Sequence, residues 1–200
     1  MPAAGLPISG TVIRLVVLAL LAVAGTTVPS AVAGRSNVIR VGVDSQTIGP
    51  WRTGATPTFA AAIAAFGPVT RCTRLEALPA FASAEWRQVG LRMVFGSYGP
   101  GGARPCRARR AVFLDNARAY GKQWQTGLGL RVGDSVAKLR RLYPQARLRT
   151  YRRGVAPVRG WWLVVRTSHV PDFHHVPALL AKARAGRVTE LVVTAHAEGD

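Results

Sequence analysis

A chain of 200 residues, 48% of them hydrophobic, with a formal net charge of +18, is long enough for one domain with a core of its own. That apolar fraction excludes wholesale disorder, which pairs high charge with low hydrophobicity, so the charge sits on a folded surface. Nearly all of it is arginine, with lysine only at Lys122, Lys138 and Lys182; coding bias in a GC-rich genome and attraction to a polyanion are both open explanations.

Residues 1–33 read as a cleavable export signal. Arg14 precedes an apolar run over 15–24, and the small residues Ala31, Val32 and Ala33 come just before Gly34, a pattern that predicts cleavage between Ala33 and Gly34. The run is short for a bilayer span and no charged stop follows it. No cysteine follows it as a lipid-anchor site. The expected location is therefore outside the cell, in solution or at the envelope. In that oxidising setting the only two cysteines, Cys72 and Cys106, are expected to form one disulfide.

After an N-terminal arm at 34–47, residues 48–120 read as a first helix-plus-sheet module. Thr56 offers a helix cap with Pro57 at the opening position, Phe59, Ile63 and Phe66 form an apolar stripe, and Gly67-Pro68 ends the helix. Strand patterns follow at 84–87 and 91–95, where Leu91, Met93 and Phe95 alternate with Arg92 and Val94. A Gly/Pro-rich loop covers 99–105, and the joint between halves falls near Gly121.

Residues 121–200 repeat the scheme. Asp134 is the expected cap of a helix with Val136, Leu139 and Leu142 on one face, Lys138, Arg140 and Arg141 toward its C-terminal end, and Pro144 as terminator. Strands are expected at 161–166 and 188–195. Residues 178–184 have helix propensity, but Ala185-Gly186-Arg187 leads straight into a strand and favours a hairpin. Helices this short need a sheet to lie against. The predicted fold class is α+β, two helix-plus-antiparallel-sheet modules in tandem forming one compact domain.

The segment 128–144, with Gly133-Asp134-Ser135 before a short helix ending at Tyr143-Pro144, resembles exported domains of the BamE/SmpA-like family. Two such modules in tandem are similar to the β-lactamase inhibitor protein-like architecture. Ile48-Gly49-Pro50, the run from Gly129 to Ser135, Trp161-Trp162 and the ending Gly199-Asp200 are also similar to secreted proteins of GC-rich bacteria. The resemblance implies a fold, with inhibition of a partner only as an analogy; Cys72 departs from the pattern by directly following the first helix.

No arrangement reaches the specificity of an active site. His169, Asp172, His174 and His175 are metal-ligand types, but Pro171 prevents a helix from aligning them and a polar loop is the expected reading. Ser135 beside Asp134 lies at a helix start without a nucleophile elbow, and Glu76 and Glu85 have no local partner. The Gly96 to Gly102 region lacks the lysine and helix of a phosphate loop. No catalytic residue, metal site, cofactor or small-molecule substrate is assigned, and no enzyme is expected. Strand alternation instead points Arg92, Arg166 and one of Trp161 and Trp162, assigned as Trp162, away from the helices, where Arg and Trp make good anchors; a loop of the same chain covering that Trp is the competing reading. The expected role is a monomeric, non-catalytic protein that binds a secreted or envelope protein through an open sheet face, with a cationic binder of extracellular or wall polyanions as the alternative and a metal-dependent hydrolase a distant third.

Overall fold

The computed structural model describes residues 37–41, 46–52, 59–76, 78, 80–97, 106, 112–151, 158–167 and 175–194, all within one compact unit, Gly34–Asp200. In chain order the elements are β1 (Val38–Val41), β2 (Gln46–Ile48), β3 (Trp51–Arg52), helix α1 (Phe59–Phe66), β4 (Arg71–Arg74) and β5 (Phe81–Trp86). A 3-10 turn at Arg87–Val89 leads to β6 (Leu91–Ser97), β7 (Val112–Ala119) and β8 (Gln125–Thr126). Helix α2 (Val136–Leu142) is followed by β9 (Arg147–Tyr151), β10 (Val158–Thr167), β11 (His175–Arg184) and β12 (Arg187–Thr194).

The α+β expectation of two helix-plus-sheet modules is corrected by this arrangement. The fold is β-rich: a four-stranded sheet, β3-β2-β1-β8, and one continuous eight-stranded sheet, β4-β5-β6-β7-β12-β11-β10-β9, with only two short helices among the described residues. The physical reason is the antiparallel pairing of β7 with β12, from Leu191 opposite Ala119 to Thr194 opposite Asn116. Hydrogen bonding runs across the middle of the sheet, so no edge separates one half from the other. The segment expected as an N-terminal arm contributes β1 and the start of β2.

Both helices bury their apolar sides in one core, together with Ile39, Ile48 and Trp51 from the four-stranded sheet and with Trp86, Leu91, Met93, Phe95 and Leu191 from the long one. Phe59, Ala62 and Phe66 recur along one side of α1 and are buried. The Phe59 ring meets Phe95 edge to face at 5.5 Å, and Phe66 meets Trp86 at 5.7 Å. Gly67, at φ +85°, ends the helix with its N–H on the Ile63 carbonyl, and its own carbonyl accepts the indole N–H of Trp86 at 2.9 Å. The expected cap at Thr56 and Pro57 lies outside the described residues.

Ser135, not Asp134, caps α2, its Oγ accepting the N–H of Lys138 at 3.1 Å. Asp134 closes the turn before it, accepting the N–H of Arg131 at 2.7 Å and pairing with Lys138 Nζ at 2.7 Å. Leu139 is fully buried, while Val136 and Leu142 are half-buried. The Gly133 N–H bonds the Val188 carbonyl at 2.7 Å and the Val136 N–H bonds that of Gly186 at 2.9 Å, which fixes the helix start against β12. The segment at 178–184 is strand and pairs with β12 as a hairpin. Its turn residues Ala185 and Gly186 both have positive φ, 50° and 74°, as a two-residue type I′ turn requires. Cys72 on β4 is disulfide-bonded to Cys106, with Cα atoms 6.1 Å apart.

Candidate functional site

On β6 the side chains of Leu91, Met93 and Phe95 enter the core, so Arg92 and Val94 face the other way. Register carries this outer face across the sheet. Glu85, Arg92, Arg118, Val192, Leu180, Trp162 and Arg147 stand directly opposite one another in a single row over seven strands. Two of the three residues expected to bind a partner, Arg92 and Trp162, lie in that row. The third, Arg166, lies opposite Val176, which clusters with Trp162 and Leu180, and therefore shares their face.

At one end of the row Glu85 collects three donors: Arg92 Nη2 at 3.0 Å, Arg87 Nε at 3.3 Å and the Tyr120 hydroxyl at 3.1 Å. The hydrogen bond from Arg92 is the largest influence on its carboxyl, and with help from Tyr120 and Arg87 it outweighs desolvation and holds the group below the usual carboxylate range. Burial first, and then the hydrogen bond to Glu85 and its charge, push the Tyr120 phenol up. Arg92 is thus committed to an internal carboxylate.

Arg118 is not. It stands directly opposite Arg92, a like charge, and opposite the buried Val192 on its other side. Its Nε is buried without a hydrogen-bond partner. Among the described residues the carboxylates near this face are engaged, Glu85 by arginines, Glu190 by Lys182 at 3.1 Å, and Asp115, the extra residue at the β7 bulge, by Asn116. Two residues back on the same face, Asn116 gives its Nδ2 to Asp115 at 2.7 Å and keeps its Oδ1 buried without a partner.

The consecutive tryptophans part as alternation demands. Trp161 packs against the main core with the Arg140 guanidinium 5.0 Å from its ring centroid. Trp162, only 8% exposed, joins Val176, Leu180 and Val192 in a second apolar cluster, and Arg149 lies 5.4 Å from its ring. Trp162 therefore supplies packing rather than an open ring, and Arg166 is half-buried beside it. Beyond Trp161, a shallow pocket of about 450 Å³ is lined by Leu148, Arg159, Lys182 and Thr189.

His169, Asp172 and His174 lie outside the described residues, and His175 opens β11. Among the described residues no three His, Cys, Asp or Glu side chains gather as metal ligands. Ser135 Oγ is occupied by capping and Glu85 by its donors. No family model, curated protein or solved structure matches this chain. Arg118 and Asn116 are absent from the expected site because β7 itself is not legible in the sequence. The available signal is the alternation of buried Ala117 and Ala119 with Asn116, Arg118 and Tyr120.

Proposed function

We propose that this is a non-catalytic secreted protein that binds an acidic macromolecular partner, a secreted or envelope protein, through the outer face of its eight-stranded sheet. The observation that carries the reading is the transverse row, in which Arg92, Arg118 and Arg147 stand on one face with Glu85 as its only carboxylate. The helices and the four-stranded sheet bury their apolar residues on the opposite side. A face with surplus positive charge attracts and orients an acidic partner. The disulfide is compatible with an oxidising compartment, and among the described residues no helix is long and apolar enough to cross a membrane.

A second reading, unselective binding of a polyanion, is favoured by exposed arginines away from the face, including Arg40 and Arg52 on the four-stranded sheet and Arg141 on α2. One comparison separates the two. Neutralising Arg92 and Arg166 together to Gln is expected to weaken binding far more than neutralising Arg40 and Arg52 on the four-stranded sheet, measured as affinity across a salt series. Equal losses from the two pairs would favour the polyanion. For export, the expected N-terminus of the protein recovered from culture medium is Gly34; a product that keeps Met1 and stays with the cells would refute it.

A further inference from the structure

We propose that Arg118 anchors an acidic side chain carried on an extended segment of a protein partner, with Asn116 accepting an N–H from the same segment. The inference rests on the sheet-face reading above and names the chemistry at its centre. β7 is the fourth of the eight strands, so Arg118 is in the interior of the face and not on its rim. A buried donor left unpaired is costly, and native proteins keep few of them. The Arg118 Nε is such a donor.

Among the described residues no carboxylate answers it. Glu85 is saturated by Arg92, Arg87 and Tyr120, and Glu190 pairs with Lys182. Arg92 directly opposite raises the local positive potential further, so an incoming carboxylate meets two guanidinium groups, one of them uncompensated. Val192 beside Arg118 and Val94 opposite Asn116 supply apolar flanks that exclude water from such a contact.

Asn116 selects between sources of negative charge. Its unpartnered atom, Oδ1, is an acceptor and calls for a donor. A polyphosphate has no N–H to give. An extended peptide bearing Asp or Glu offers a carboxylate and backbone N–H groups side by side, which matches an acceptor and a cation two residues apart on one strand face.

The test uses the full chain, with poly-L-glutamate as the probe, inorganic polyphosphate as the comparison, and titration calorimetry as the readout. Wild-type protein is expected to bind poly-L-glutamate, and Arg118→Gln to weaken that binding roughly tenfold or more. Arg141→Gln removes the same charge from the exposed side of α2 and is expected to change affinity less than about threefold. Arg118→Lys keeps the positive charge but loses the Nε donor and the planar fork, and is expected to weaken poly-L-glutamate binding several-fold while its melting temperature stays near that of wild type. This second variant keeps the test decisive should Arg118→Gln fail to fold. Equal losses from Arg118→Gln and Arg141→Gln would overturn the anchor, leaving the sheet face to its own neutralisation test. Tighter binding of polyphosphate than of poly-L-glutamate would overturn the peptide as occupant. Failure of wild-type protein to bind either probe would overturn the acidic-partner reading together with the anchor.

Discussion

Two arginines on adjacent strands, directly opposite each other, have different roles because of what stands beyond them. Arg92 reaches Glu85 at 3.0 Å, whereas Arg118 has the aliphatic Val192 on its far side. Glu85 is the residue whose charge the fold uses, and its lowered pKa sets a pH dependence. A carboxyl depressed below its ordinary value of 4.5 contributes stability that is complete above that value and is lost as pH falls through the depressed one. Wild-type protein should therefore be more stable than Glu85→Gln at neutral pH, and thermal melts should show the gap closing below pH 4.5. A gap that stays constant into strong acid would mean that Glu85 is not charged in this network.

Elements differ in how openly the sequence declares them. Helix α2 announces itself through Ser135, the stripe around Leu139 and the Tyr143-Pro144 stop; the one misassigned part is the cap, because Asp and Ser both favour that position and only the Lys138 N–H decides between them. Leu139 is fully buried in the shared core, so Leu139→Ala should cost about 2 to 5 kcal/mol in denaturant unfolding. A loss under about half a kcal/mol would mean that α2 does not pack as described. Strand β7 declares itself poorly. Asp115-Asn116 in its middle reads as turn chemistry, and the register shift opposite Val94 and Phe95 breaks the two-residue period that marks a strand. Missing β7 hid both the continuity of the sheet and the position of Arg118. Strand β9 is similarly obscured, since Arg147, Leu148, Arg149 and Thr150 are all exposed on the sheet edge and give little apolar contrast.

For the whole molecule, the disulfide ties β4, at one edge of the long sheet, to a residue 34 positions further along the chain. Replacing both Cys72 and Cys106 by Ala should lower stability by about 4 kcal/mol on the chain-entropy account, read from denaturant melts beside non-reducing peptide mapping that joins the two cysteines. An unchanged melt would show that this closure contributes little. Composition, periodicity and local turn chemistry by themselves determined the two helices, the hairpin at Ala185-Gly186, the cysteine pair and the outward direction of Arg92, because each depends on residues near in sequence, on parity along one strand or, for the cysteines, on there being only two to join. Only the tertiary structure decided that β7 pairs with β12 to make a single sheet, that Trp162 is buried while Arg92 is paired, and that no carboxylate among the described residues pairs with Arg118. Those outcomes depend on which distant residue lies opposite, and alternation along a strand sets the face a side chain takes without naming its neighbour across the ladder.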